Sequence, residues 1–110
     1  MEMTDACTAL GALGQPTRLA VFRHLVAAEA AGLPAGQIAV ALDLRPNTLS
    51  GHLAILQSAG LVTARRDGRS IFYALNRKGL TGLLTWLTQD CCAGRPELCA
   101  PLLLQPTCAC

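Results

Sequence analysis

The stretch from Leu44 to Leu75, LRPNTLSGHLAILQSAGLVTARRDGRSIFYAL, constrains this chain more than any other. Leu49, Leu53 and Leu56 recur at i, i+4 and i+7, the spacing of one buried helix face. Pro46 suits the first helical position and Gly60 suits a stop, so the spacing predicts a helix from Pro46 to about Gly60. If the leucines face a core, Asn47, Thr48, Ser50, Gly51 and His52 face solvent. They form a surface of short hydrogen-bonding groups without a carboxylate, which suits the edges of bases in a DNA major groove.

Beyond Gly60 the residues Leu61–Ala64 and Ile71–Ala74 are β-prone, and Asp67-Gly68 between them signals a two-residue hairpin turn. The hairpin tip carries Arg65, Arg66 and Arg69 against a single Asp67. Polar helix faces and arginine-tipped hairpins each also occur as plain solvated surface. Contiguous, they form a winged helix-turn-helix, in which the helix reads bases and the wing grips phosphate.

The remaining segments supply the flanks. Thr4–Leu13 reads as a short helix with an apolar stripe of Ala6, Ala9, Leu10 and Leu13, and Cys7 reads as a small packed hydrophobe near it. Gly14-Gln15-Pro16 breaks the helix, and Pro16 opens the next one. A second helix, Pro16 to about Ala30, is expected to bury Leu19, Phe22, Leu25 and Val26 and to pair Arg18 with a carboxylate such as Glu29. Gly32-Leu33-Pro34 reads as a turn. Ala35–Leu42, using Ile38 and Leu42, is the first helix of the helix-turn-helix, joined through Asp43-Leu44-Arg45 to the second. Asn76 is placed to cap a last helix from Arg77 to about Cys92, striped by Leu80, Leu83, Leu84 and Leu87, with Trp86 beside the stripe. The expected fold class is mainly α with a small β-hairpin, a winged helix-turn-helix that pairs as a homodimer through its N- and C-terminal helices.

With 110 residues the chain suits one domain, and a hydrophobic content of 52% is high for that size, which calls for a second buried surface. A net charge of only +2 means that the basic character is local to the wing. The first fourteen residues have neither a basic start nor an unbroken apolar run, so no secretory signal is expected, and no run approaches the ~20 apolar residues of a membrane span. The expected compartment is the cytoplasm, where the six cysteines would be reduced thiols.

Five of those six lie in the last twenty residues. Cys91 and Cys92 stand where the last helix is expected to end, and Cys99 follows after a Gly/Pro-containing loop; Cys108 and Cys110 close the chain. Three thiolates without a neighbouring histidine select a soft ion. Three sulfurs suit a pyramidal centre such as trivalent arsenic or antimony, while zinc, cadmium or lead would take a fourth sulfur from Cys108 or Cys110. A Cys92–Cys99 redox switch and inert thiols are the alternatives. The organisation expected is a DNA-binding and dimerisation domain over residues 1–92 and an irregular tail, 93–110, that completes an inducer site. No enzymatic role is expected.

The blocks ALGQPTRLAVFRHL (12–25) and SGHLAILQSAGLVTARRDGRSIFYAL (50–75) resemble the ArsR/SmtB winged-helix metalloregulators, homodimeric transcriptional repressors. The resemblance implies that the metal-free dimer binds a palindromic operator in double-stranded DNA and that inducer binding weakens the grip. It places Asn47, Thr48, Ser50 and His52 on the recognition helix and Arg65, Arg66 and Arg69 on the wing. Many arsenic sensors of this family carry cysteines on the helix before the recognition helix, and zinc sensors use aspartate and histidine on the last helix. Here residues 33–44 hold no cysteine and the last helix holds no histidine. The Cys91, Cys92, Cys99 arrangement instead resembles arsenic-responsive members with the trivalent arsenic site after the last helix. Rival readings are a thiol-redox or persulfide sensor on the same scaffold, and a thiol-rich metal-sequestering protein without DNA binding.

Overall fold

The structure, a computed structural model, describes residues 1–28 and 30–88. Five helices and three strands follow in the order α1 (Met3–Leu13), α2 (Pro16–Ala27), β1 (Leu33–Pro34), α3 (Ala35–Leu42), α4 (Pro46–Ser58), β2 (Val62–Asp67), β3 (Ser70–Leu75) and α5 (Arg77–Thr88). The strands form one antiparallel sheet in the order β1-β3-β2.

The helices pack around an entirely apolar core among the described residues. Leu49, Leu53 and Leu56 of α4 are all buried, as their spacing predicts, together with Val21, Phe22, Leu25, Ile38, Leu61, Val62 and Leu83. The flanking stripes are corrected. In α1 the buried residues are Ala6, Ala9 and Ala12, while Leu10 is 45% exposed and Cys7 is exposed rather than packed. Alanine at every third position leaves no side-chain bulk between the backbones, so α1 lies close on its neighbours and Leu10 is turned away. In α2 it is Val21, with Phe22 and Leu25, that goes inside, and Leu19 and Val26 stay exposed. That helix ends at Ala27, three residues short of the expected limit.

Arg18 is half-buried and, among the described residues, its side chain bonds backbone instead of an acid: its Nε donates to the Ala12 carbonyl at 2.7 Å. This bond satisfies a carbonyl in the last turn of α1, where a cation is also favoured by the helix dipole. The Gln15 side chain accepts from the Arg18 backbone N–H at 2.8 Å and caps α2. Glu29, the expected partner, lies outside the described residues.

Two connections position the reading elements. Between α3 and α4 the chain turns at Asp43, which takes left-handed angles (φ 53°, ψ 51°), while the Leu44 N–H donates to the Ala39 carbonyl at 2.9 Å. Aspartate tolerates that conformation better than most residues. Between α4 and α5 the cap residue Asn76 acts in both directions. Its Oδ1 accepts from the Gly79 N–H at 3.3 Å, and its Nδ2 donates to the Gly60 carbonyl at 2.8 Å. A Cβ at Gly79 would collide with that same carbonyl, so α5 starts directly against the α4–β2 turn.

The expected turn at Leu33 is instead a short strand, with Leu33 opposite Tyr73 and Pro34 opposite Phe72. The hairpin is also shifted by one residue. Asp67 pairs with Ser70, so the two loop residues are Gly68 and Arg69, with Gly68 at φ 64°. Glycine at the first loop position with positive φ is the requirement of a type II′ turn, and Asp67 is left extended in the strand.

Candidate nucleic-acid interface

The buried leucines of α4 fix its outer face. Asn47, Thr48, Ser50 and Gly51 are exposed, and His52 is half-buried at the edge of the same face. Thr48, His52 and Ile55 stand at i, i+4 and i+7, so the face continues one further turn to Ile55, which is 44% exposed. Sequence reasoning passed over Ile55 as apolar, although its place outside the leucine stripe was visible. An exposed aliphatic group among polar ones is suited to a thymine methyl. Arg45, exposed immediately before the helix, was passed over too. Gly51 lies open: a Cβ built there meets no atom within 4 Å.

Strand alternation sorts the wing arginines. Arg66 is opposite Ile71, and Ile71 and Tyr73 line a cleft of about 320 Å³ together with Ser50 of α4 and Arg69 of the turn. The helix face and the wing tip therefore open into one hollow. Arg65, one residue earlier, is opposite Phe72 on the other face of the sheet. Its guanidinium carbon lies 5.0 Å from the centre of the Phe72 ring, its Nη2 donates to the Ala31 carbonyl at 3.3 Å, and its Nη1 is 3.6 Å from Asp67 Oδ2. Among the described residues Arg66 and Arg69 have neither a hydrogen bond nor an ion pair. The stretch from 44 to 75 carries four arginines against one aspartate, so this side of the molecule is positive although the chain as a whole is nearly balanced.

Cys91, Cys92 and Cys99 lie outside the described residues, as do Cys108, Cys110 and the expected extension of α5 to Cys92. Among the described residues, no three His, Cys, Asp or Glu side chains group closely enough to hold a metal ion. Nor is any described helix long and apolar enough to cross a membrane.

Comparison with known proteins agrees with this geometry. A helix-turn-helix domain family matches residues 13–65, from the end of α1 into β2. The biofilm growth-associated repressor of Agrobacterium fabrum is 33% identical over 95 residues, spanning 86% of this chain and 79% of that protein. The transcriptional regulator CmtR of Mycobacterium tuberculosis is 40% identical over 90 residues, spanning 80% and 74%. A solved homodimeric winged helix-turn-helix DNA-binding domain from Mycobacterium bovis, described as a possible ArsR-family regulator, superposes with a TM-score of 0.65 at 26% identity, covering 80% of this chain and 82% of that one. The chain belongs to the ArsR/SmtB family. It is a winged helix-turn-helix transcriptional regulator, with α3 and α4 as the helix-turn-helix and β2–β3 as the wing.

Proposed function

We propose that this regulator is a homodimeric repressor that binds operator DNA and is released by trivalent arsenic or antimony. The observation that carries the DNA-binding half is the cleft shared by Ser50 and Arg69, with Arg66 beside it. Asn47, Thr48, Ser50, Gly51 and His52 face base edges, and the wing, which carries Arg65, Arg66 and Arg69, supplies the positive element that meets the backbone phosphates. Dimerisation is supported by the apolar surface that α1 and α5 leave uncovered. The two helices pack together, yet Met3, Leu10, Leu84 and Leu87 remain 40–65% exposed. A two-fold axis through that surface would present two α4 helices to successive major grooves, about 34 Å apart.

Release is assigned to Cys91, Cys92 and Cys99, with residues 93–110 completing the site in the reducing cytoplasm. Support for this half is the sequence: Cys91 follows Thr88, the last described residue of α5, by three positions in the chain, with Cys92 next to it and Cys99 seven residues further on. Three thiolates supply soft donors for a pyramidal metalloid. A hundredfold loss of operator affinity requires about 2.7 kcal/mol of coupling, within the ordinary range for allosteric pairs.

The test is fluorescence anisotropy of the reduced protein on its own upstream DNA, titrated in parallel with arsenite, antimonite, cadmium, zinc and peroxide. Release by arsenite at about one equivalent per subunit, with Cys92→Ser binding DNA but no longer releasing it, is the expected result. Release by peroxide alone would assign the thiols to a redox switch instead.

A further inference from the structure

We propose that Arg65 is a positioning residue that sets the angle of the wing, and that the phosphate contacts of the wing belong to Arg66 and Arg69. The proposal rests on the DNA-binding reading above and divides the work among three arginines that sequence treats alike. Its basis is the two faces of β2. Arg65 has the Phe72 ring beneath it, the Ala31 carbonyl beyond it and the Asp67 carboxylate beside it. A planar guanidinium can cover a ring and donate at its rim at the same time. Ala31 precedes Gly32, whose φ is +85° and where a Cβ would lie 2.5 Å from the Tyr73 carbonyl oxygen. The turn that Arg65 holds is therefore itself pressed onto β3. Through Arg65 the free-standing end of the hairpin is tied to the chain 34 residues earlier. Arg66 and Arg69, on the cleft side with Ser50, have no such ties among the described residues and keep their donors for a ligand.

Salt dependence separates the two roles. Removing a group that neutralises one phosphate lowers the magnitude of the slope of log K against log salt by about 0.9, whereas removing a positioning group lowers affinity at every salt concentration alike. The probe is a fluorescein-labelled duplex from the chain's own upstream DNA, measured between about 50 and 200 mM KCl. Arg66→Gln and Arg69→Gln should each flatten the slope by about one unit. Arg65→Gln should leave the slope unchanged while affinity drops on the order of fivefold, the equivalent of one exposed cation–π contact. Phe72→Leu should reproduce that drop and add nothing in the Arg65→Gln background. Arg65→Lys keeps the charge but not the fork, and should bind no better than Arg65→Gln.

Amide exchange in the free protein gives a reading independent of DNA: the Asp67–Ser70 amides should exchange faster in Arg65→Gln and unchanged in Arg66→Gln. A flattened slope for Arg65→Gln, or rescue by lysine, would make Arg65 a phosphate contact and overturn the assignment, as would unchanged exchange. If the unaltered protein itself bound duplex without salt dependence, the DNA-binding reading would fail first, and the assignment with it.

Discussion

Replacing Gly51 with alanine should make the protein more stable and a poorer DNA binder at the same time. Gly51 sits in the middle of α4, where glycine costs roughly 0.8–1.0 kcal/mol relative to alanine. Its φ is not in the left-handed region, and an added Cβ meets no atom within 4 Å, so nothing in the fold offsets the gain. A gain of that size shifts the melting temperature of a domain this small by roughly 3 to 8 °C. Thermal unfolding by circular dichroism at one fixed protein concentration reads it, because a dimer's transition depends on concentration. If α4 reads DNA as proposed, anisotropy on upstream DNA should fall in parallel, since the methyl group fills open space beside the backbone between Asn47 and Ile55. A melting temperature that stays level or drops would refute the helix-propensity argument. A higher melting temperature with unaltered DNA affinity would refute the placement of Gly51 against DNA and leave it a neutral residue of the helix.

Three further outcomes follow from the packing. Gly79→Ala drives a methyl group into the Gly60 carbonyl and should cost about 1–3 kcal/mol in a urea titration. Asn76→Ala removes the α5 cap and the donor to Gly60 together, for about 1.5–2.5 kcal/mol, and the double variant should fall short of the sum because both changes break one lock. Leu84→Glu, on the uncovered surface of α5, should leave the monomer's helical spectrum intact and convert the species seen by sedimentation from dimer to monomer; a persistent dimer would move the interface elsewhere.

The helix-turn-helix was legible because burial and propensity agreed there. Leu49, Leu53 and Leu56 have no other use than the core, and Pro46 and Gly60 mark the ends they predict to within two residues. The cap at Asn76 and the hairpin were legible for the same reason. Where apolar residues outnumber the core positions of one chain, periodicity reports burial without saying against what. Leu10, Leu84 and Leu87 continue apolar stripes whose inner members, Ala6, Ala9 and Leu83, are the ones inside the monomer. Arg18 holds a partner that the sequence did not announce, because a backbone carbonyl at a helix end has no residue letter. The placement of the turn was missed by one residue because Asp67-Gly68 and Gly68-Arg69 both offer a glycine, and only the pairing of Asp67 with Ser70 decides which position it fills.

The site shows the same division between its two halves. On α4 every outward residue is fixed by its distance from a buried leucine, so Asn47, Thr48, Ser50 and Gly51 could be placed from the sequence. On β2 no such reference exists. From Thr63 to Asp67 every residue is exposed, so no alternation of apolar and polar letters tells which arginine faces which side. Their faces are set instead by long-range pairing, of β3 with β2 on one side and with Leu33-Pro34 on the other. Phe72 then lands beneath Arg65, and Ile71 lands beside Arg66 on the face of the cleft. A count of positive charges at the tip finds three equivalent groups. The register of the sheet gives one of them a ring, a carbonyl and a carboxylate as partners and, on the reading proposed above, leaves the other two for DNA.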